Sequence, residues 1–230
     1  MKTIGLVGGV SWESSAEYYR IINREIGRRL GGLASGRIVL YSFNFAEIEP
    51  MQREGRETEV TAALVNACRT CQLGGADFVL ICSNTTNKNA DEVAAQIDIP
   101  LVHIADVTGE AIRARGMKTV ALLGTKYTME QDFYRGRLER KYGLSVLVPD
   151  EADRKLVNRV IYEELCRGVV REESRREYQR IIGSLGERGA MGVILGCTEI
   201  PMLIKAEHSP IPVFDTTEIH ALKAVELALA

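Results

Sequence analysis

The stretch KTIGLVGG at residues 2–9 decides the fold class, because a short apolar β-strand runs directly into a pair of glycines. The pattern returns as KTVALLGT at residues 118–125. The strand-like runs along the chain are near-continuously apolar, as expected of parallel strands that helices cover on both faces; they are residues 38–41, 78–81, 120–123 and 193–195. Longer amphipathic stretches separate these runs, and this alternation predicts an α/β fold with parallel sheets.

The repeat extends to two further pairs of segments. GADFVLICSNT at residues 75–85 matches GAMGVILGCTE at 189–199, and IPLV at 99–102 matches IPVF at 211–214. Three anchors in the same order predict two pseudo-symmetric, doubly wound parallel-sheet lobes, with ligand bound at strand ends in the cleft between them. In this alignment Ser83 falls opposite Cys197, and Cys82 falls opposite Gly196.

Composition excludes several classes of function. The 230 residues carry a net charge of −2, with 46% hydrophobic and 26% charged residues. A nucleic-acid-binding protein would need clustered basic residues, and the bases here are interleaved with acids. No apolar run approaches the roughly 20 residues needed to cross a bilayer, and no signal peptide is expected. The sequence therefore predicts a cytoplasmic protein with reduced thiols and no membrane or nucleic-acid partner.

The five cysteines do not form a disulfide framework, since their number is odd and their spacing irregular. Cys68 and Cys71 form a C-x-x-C pattern, which invites a redox or zinc interpretation. Both continue a helical pattern with no second pair and no histidine nearby, so we expect buried helix packing. No metal-binding, pyridoxal-phosphate or dinucleotide motif is present, and we expect neither a metal nor another cofactor.

The strand ends suit proton transfer. Moving an α-proton from one face of a carbon to the other requires two acid/base groups, and two equivalent strand ends supply two positions. A thiolate can act near neutral pH once the thiol pKa is lowered. The segment Thr198–Pro201 resembles a helix start with proline in its first turn, and we expect that N-terminus to lower the pKa of Cys197 and to hold a carboxylate.

Three motifs resemble those of the aspartate/glutamate racemase family, and the match covers essentially the whole chain. They are GGVSWESS at residues 8–15, SNT at 83–85 and GCTE at 196–199. The resemblance implies cofactor-independent racemisation of aspartate or glutamate, a small amino acid as the binding partner, and a homodimer. It also implies a discontinuous first lobe, of residues 1–99 plus 212–230, around a second lobe of residues 100–211.

One departure from the family concerns the catalytic pair. Members typically carry cysteine at both strand ends, whereas this chain has Ser83 at the first and Cys197 at the second. In carrying a hydroxyl residue at the first position, it resembles the enteric L-aspartate/glutamate-specific racemases. By that analogy Cys197 deprotonates the L-amino acid and Ser83 is a weak partner on the opposite face, which predicts strong asymmetry between the enantiomers. Cys82 competes for the first position if the strand register slips; otherwise it is a buried apolar residue.

The resemblance also implies a set of substrate-binding residues near the strand ends: Val10, Ser11, Gln52, Asn84, Thr85, Thr125, Thr128, Thr198 and Glu199. The amides of the glycine turn before Ser11 are expected to face the ligand. Plainer roles are open for several of these residues. Ser11 is equally a helix cap, Gln52 a solvated helix residue, and Asn84 a partner of the local backbone.

Specificity is left open by the sequence. Aspartate-specific members often carry a basic residue within the stretch corresponding to residues 162–168, where Cys166 stands in this chain. Arg53 or Arg167 is a candidate substitute. His103 follows an apolar strand and is expected to be a structural imidazole.

Two competing functions remain open. Sister enzymes on this scaffold decarboxylate disubstituted malonates, isomerise maleate or racemise hydantoins, and a single thiol suits protonation of one face after loss of CO₂. The other alternative is a non-catalytic small-molecule-binding protein. Thiol reactivity discriminates it, because an idle Cys197 needs no lowered pKa.

Overall fold

The computed structural model describes all 230 residues, Met1–Ala230, as two compact units. The first consists of Met1–Ile104 and His220–Ala230, and the second of Ala105–Ile219. Each contains a four-stranded parallel sheet with helices packed against it. The predicted α/β class and the two similar parallel-sheet units are therefore confirmed.

The first unit is built on the sheet order β2-β1-β3-β4. Its strands are β1 (Ile4–Gly8), β2 (Ile38–Ser42), β3 (Phe78–Ile81) and β4 (Leu101–Val102), and its helices are α1 (Trp12–Leu30), α2 (Phe45–Arg53), α3 (Glu57–Leu73) and α4 (Ala90–Ala94), with a 3-10 turn at Thr85–Asn89. One sheet face packs on α1 and the chain's last helix, and the other packs on α3. Burial on both faces explains why β1 and β3 are apolar throughout.

The second unit repeats this plan with the sheet order β6-β5-β7-β8. Its strands are β5 (Thr119–Gly124), β6 (Ser145–Leu147), β7 (Val193–Gly196) and β8 (Val213–Asp215). Its helices are α5 (Ile104–Ala114), α6 (Lys126–Glu130), α7 (Asp132–Tyr142), α8 (Glu151–Glu163), α9 (Glu172–Glu187) and α10 (Ile200–Leu203), with 3-10 turns at Leu165–Arg167 and Ala206–His208. The last helix, α11 (Thr216–Leu229), begins in this unit and ends in the first.

Strand register confirms the internal alignment residue by residue. Leu6 pairs with Leu80 in the first sheet, and Leu122 pairs with Ile194 in the second. Counting three residues on from Leu80 and from Ile194 reaches Ser83 and Cys197. The two side chains therefore occupy the same register position in their respective units.

The position of the last strand corrects the predicted domain division. Residues 212–215 were expected to return to the first lobe, but β8 pairs with β7 in the second sheet. Likewise β4, predicted to open the second lobe, pairs with β3. The carbonyls of Pro100 and Pro212 accept hydrogen bonds from the amides of Val79 and Val193, both at the same register. Each repeat thus keeps its own fourth strand.

The return of the chain to the first unit is anchored by His220. Its Nε2–H donates to the carbonyl of Val102 at 2.9 Å, so Nδ1 accepts the Tyr18 hydroxyl at 2.8 Å. Burial lowers the pKa of His220 to about 3, and the imidazole is neutral. This buried, fully hydrogen-bonded side chain ties α11 to β4 and α1.

None of the helices combines the length and the apolar composition that a membrane-spanning segment requires.

Candidate active site: the strand ends of the two units

Cys197 lies immediately after β7, with 7% of its surface exposed. Its thiol donates to Oε2 of Glu199 at 2.9 Å, and the Thr198 hydroxyl donates to the same oxygen at 2.9 Å. Glu199 is itself buried. The strand end therefore brings a thiol, a hydroxyl and a carboxylate oxygen into one small cluster.

The protonation state of this thiol differs from the prediction. Burial raises the pKa of Cys197 well above the value of a free cysteine, and the negative charge of Glu199 raises it further. The expected lowering relied on a helix N-terminus, but α10 is a single turn of four residues, Ile200–Leu203. Desolvation outweighs so short a dipole, and Cys197 is a neutral thiol in this structure.

Cys166 stands close enough to Cys197 to raise the pKa of that thiol further, and Cys197 in turn contributes to the raised pKa of Tyr178. Burial and then the charge of Glu199 raise the pKa of Cys166 to about 12. Burial also raises the pKa of Tyr178, with Cys197, Glu164 and Cys166 adding to the effect. Cys166 thus sits beside the candidate site. Both candidate substitutes, Arg53 and Arg167, are exposed, and Arg53 is also paired with Glu49 at 2.9 Å.

Thr125 and Thr128 stand at the neighbouring strand end, after β5. Thr125 caps α6 by accepting the amide of Thr128 at 3.3 Å, and the two hydroxyls are 3.2 Å apart. A Cβ at Gly196 would meet the Thr128 methyl at 3.2 Å and the Leu123 carbonyl at 2.9 Å, so only glycine fits there. Both threonines therefore lie beside the residue that precedes Cys197.

In the first unit, Ser83 is buried and its Oγ accepts the amide of Thr86 at 3.4 Å. Asn84 and Thr85 follow in the same turn. Sequence reasoning missed Asn87, whose Nδ2 donates to the carbonyls of Ile81 and Ser83 at 3.1 and 2.7 Å. The amide-rich run NTTNKN at residues 84–89 is the signal that points to it. Asn87 fixes the backbone that carries Ser83.

The glycine turn after β1 is closed on itself. The amide of Gly9 donates to Ser15 Oγ at 2.8 Å. The prediction that this amide faces a ligand is therefore wrong. Gly9 has φ +82°, and a Cβ there would overlap the backbone of Phe43. Ser11 occupies the N-cap position of α1 without a side-chain capping bond. The Ser14 hydroxyl lies 3.2 Å from the carbonyls of both Ser11 and Cys82, which brings this turn next to the Ser83 segment.

The remaining cysteines belong to packed cores. Cys82 is fully buried with Ile4, Leu6 and Leu80, and burial raises its pKa. Cys68 and Cys71 lie on α3 against the other sheet face. These are the packing roles that the sequence analysis gave to all three. No group of three or more His, Cys, Asp or Glu side chains is arranged to hold a metal ion.

Three other residues singled out in the sequence lie on α2, in the glycine turn, and between β4 and α5. Gln52 lies on α2 with a partly exposed side chain, and no hydrogen bond joins it to a strand end. Val10 is partly exposed in the glycine turn. His103 is buried between β4 and α5.

Comparison with known proteins agrees with this architecture. A model of the Asp/Glu/hydantoin racemase family matches residues 7–224. The chain is 49% identical to a candidate Asp/Glu racemase from Yersinia pestis, covering 100% of both chains with a TM-score of 0.95. It is 38% identical to an aspartate racemase homologue from Pyrococcus horikoshii OT3, again over 100% of both chains, with a TM-score of 0.85. It is also 23% identical to the broad specificity amino-acid racemase RacX of Bacillus subtilis (strain 168), over 75% of this chain and 74% of that protein.

Proposed function

Because this chain belongs to the Asp/Glu/hydantoin racemase family and is an amino-acid racemase, an isomerase, we propose that it racemises aspartate or glutamate without a cofactor. Cys197 is the acid/base group for one face of the substrate α-carbon, and Ser83 is the weaker group for the other. The observation that carries this proposal is the shared register position of Ser83 and Cys197 at equivalent strand ends.

The proposed reaction moves one proton at each face. Cys197 acts as the thiolate: once its thiol proton has left, the sulfur takes the α-proton of the L-amino acid, an S–H bond forms as the Cα–H bond breaks, and the electron pair stays on the substrate carbanion. A proton then reaches the opposite face from Ser83 Oγ, and solvent restores that hydroxyl. A serine hydroxyl is a far weaker acid than a thiol, so this second transfer is slow. We therefore propose a chain biased toward the L-enantiomer in the abstraction step.

Hydroxyl and amide groups around the strand ends are proposed to hold the substrate. Asn84, Thr85 and Thr198 suit the ammonium and α-carboxylate groups, which need short polar partners. Thr125 and Thr128, beside Gly196, suit a second carboxylate. We propose that Val10, Ser11 and Gln52 also contact the bound amino acid.

A sister activity has one specific observation in its favour. Cys197 is protonated, and a protonated thiol is the right form to deliver a proton to a carbanion left by loss of CO₂. A disubstituted malonate is therefore the second candidate substrate class. It requires one acid on one face and makes no use of Ser83.

Formation of the opposite enantiomer tests the proposal directly. L-Glu and L-Asp are incubated with the wild-type protein and the products are separated by chiral chromatography. D-enantiomer formed by the wild type, lost in Cys197→Ala and retained in Cys68→Ala, supports the proposal. Cys68 is the matched control because it is a buried cysteine in the other unit. Decarboxylation of a phenyl-substituted malonate with no racemisation supports the second candidate.

We also propose a cytoplasmic homodimer. All five cysteines are free, which suits a reducing compartment, and the dimer rests on the family resemblance. Light scattering on a size-exclusion column measures the mass against the 25.5 kDa of one chain.

A further inference from the structure

The second unit contains a cavity of about 290 Å³ that is lined by residues of α8 and of the first turns of α9. All of the lining residues lie between Leu156 and Glu177, so the cavity is distinct from the strand ends that carry Cys197 and Thr125. A cavity of about 150 Å³ is large enough to bind benzene. The volume therefore suits a ligand about as small as an amino acid.

Glu164 supplies a buried carboxylate to this cavity. The residue follows the end of α8 and is 7% exposed. Its Oε2 accepts the Ser174 hydroxyl at 2.7 Å, whereas Oε1 accepts no hydrogen bond and no cationic side chain pairs with the carboxylate. Removing a carboxylate from water without a counter-ion is costly. A cationic ligand group beside Oε1 would therefore be stabilised.

Two arginines line the same cavity without an acidic partner. They are Arg159 on α8 and Arg171, the N-cap residue of α9, and neither forms an ion pair or a side-chain hydrogen bond. Other arginines of these helices are paired: Arg154 with Glu130, Arg175 with Glu172 and Arg180 with Asp153. A guanidinium presents parallel N–H donors that match the two oxygens of a carboxylate. The two unpaired arginines therefore suit a ligand that also carries an anionic group.

The remaining lining residues narrow the class of ligand. Leu156 and Val160, one turn apart on α8, give the cavity an apolar wall. Glu177 is paired with Arg180 at 3.0 Å, whereas Glu173 is exposed and forms no ion pair. The charge of Glu173 would repel a second carboxylate on the ligand. An aliphatic side chain therefore fits this cavity better than an acidic one.

We propose that this cavity is a second binding site, which takes an α-amino acid with an aliphatic side chain. The ligand ammonium donates to Glu164 Oε1, and the ligand carboxylate accepts from Arg159 and Arg171. The aliphatic side chain packs against Leu156 and Val160. None of these groups belongs to the strand-end clusters, so binding here is independent of the proposed racemisation.

The first part of the test varies the ligand. L-Leucine is titrated into the wild-type protein by isothermal titration calorimetry, beside three analogues that each lack one part. 4-Methylpentanoate lacks the ammonium group, 3-methylbutylamine lacks the carboxylate, and glycine lacks the aliphatic side chain. Each analogue should bind about tenfold or more weakly than L-leucine, because each loses either charge-assisted hydrogen bonds or the burial of apolar surface.

The second part varies the protein. Arg159→Gln, Arg171→Gln and Glu164→Gln each remove one charge from the cavity, and each should weaken L-leucine binding by about tenfold or more. Both arginines are exposed, so their replacement leaves the core intact. Arg176→Gln is the matched control, since Arg176 is an exposed arginine on α9 that does not line the cavity. Circular dichroism establishes that each variant is folded.

Binding of L-leucine that weakens in the three cavity variants and keeps its wild-type strength in Arg176→Gln supports the inference. Absence of L-leucine binding to the wild type up to about 10 mM overturns it. Equal binding by wild type, Arg159→Gln and Arg171→Gln also overturns it, because the ligand then sits elsewhere, for example at the strand ends. 4-Methylpentanoate binding as tightly as L-leucine contradicts the role of Glu164. These readouts measure binding alone, so their failure leaves the proposed racemisation untouched.

Discussion

Ser83 and Cys197 occupy the same position in two copies of one sheet plan, three residues beyond a strand residue that pairs with Leu6 in one unit and Leu122 in the other. The copies differ in the chemistry of that position. One carries a hydroxyl that accepts a backbone amide, and the other carries a thiol that donates to a carboxylate. The repeated sheet plan thus carries a hydroxyl at this position in one unit and a thiol in the other.

The first prediction concerns this asymmetry. The kcat/KM values for racemisation of two enantiomers must be equal, because their equilibrium constant is one, so asymmetry has to be read from exchange. The thiol can take the α-proton of the L-enantiomer and return deuterium to the same face. We expect exchange of L-Glu or L-Asp to exceed that of the D-enantiomer by about tenfold or more. Equal exchange rates from both enantiomers contradict the assignment.

A cysteine at the first strand end provides the reciprocal test. Ser83→Cys supplies a stronger acid on the weak face, so exchange of the D-enantiomer should rise by about tenfold and approach that of the L-enantiomer. Ser83→Ala is the control that removes the group altogether and should lower D-enantiomer exchange further. If neither substitution alters D-enantiomer exchange, Ser83 takes no part in proton transfer.

A second prediction concerns Cys82, the adjacent cysteine. Because this side chain is fully buried among apolar residues, Cys82→Ala should lower the free energy of unfolding by about 1–2 kcal/mol and leave exchange unchanged. Cys82→Ser should cost more, about 1–3 kcal/mol, because it buries a hydroxyl. Urea unfolding measures both. Loss of exchange in folded Cys82→Ala would show that Cys82, rather than Ser83, is the proton carrier.

A third prediction concerns the closed turn at Gly9. Gly9 has φ +82°, which strains any residue with a side chain, and in Gly9→Ala the new Cβ would also overlap the backbone of Phe43. We therefore expect the free energy of unfolding to fall by about 3 kcal/mol or more. Gly143→Ala is the matched control. Gly143 is also left-handed, with φ 63° and ψ 32°, but its Cβ would meet only Arg113 at 3.8 Å, so about 1 kcal/mol is expected. Equal losses in the two variants would mean that the Phe43 backbone moves away.

A fourth prediction follows from the neutral His220. Its pKa is about 3 in the folded chain and close to 6.5 when unfolded, so the unfolded state gains a proton first as pH falls. Its contribution is fully present above pH 6.5 and is lost toward pH 3, by about 1.4 kcal/mol per pH unit at most. The stability advantage of wild type over His220→Gln should therefore shrink over this range. An advantage independent of pH contradicts the assignment.

Comparison of wild type with His220→Gln separates the effect of His220 on stability from that of a second buried titratable group, Asp215. Burial raises the pKa of Asp215 to about 6, and that carboxyl opposes folding as pH rises from 3.8 through 6. This effect has the opposite sign in the same pH range. Because Asp215 is present in both proteins, it cancels in the difference between their unfolding curves, which are measured with urea at each pH.

The sequence repeat predicted the duplicated sheet plan and the equivalence of Ser83 with Cys197, because apolar runs and strand-end residues recur at matched spacing. It did not predict the sheet of the last strand. Residues 211–214 carry the same IP-initiated pattern as residues 99–102, and each proline carbonyl accepts a hydrogen bond from a strand of its own sheet, which decides where the last strand lies. The error came from placing a domain boundary inside a repeated segment.

Two features of the site depend on conformation that the sequence does not display. The thiol–carboxylate contact joins Cys197 and Glu199 in the turn between the end of β7 and the start of α10, so it depends on the conformation of that turn. The thiol pKa depends on how deeply Cys197 is buried, and Cys197 belongs to a core cluster that includes residues of α8 and α9, which are distant in sequence. A motif predicts which groups are present, whereas their solvation comes from distant segments.

Exchange of the substrate α-proton tests the central claim most directly. L-Glu, L-Asp and their D-enantiomers are incubated in D₂O with wild type, Cys197→Ala and Cys68→Ala, and the α-proton signal is followed by NMR. We predict loss of the signal with wild type and Cys68→Ala, faster from the L-enantiomers, and no loss with Cys197→Ala. A signal that persists with the wild type for all four amino acids, or one that is lost equally fast with Cys197→Ala, would contradict the account.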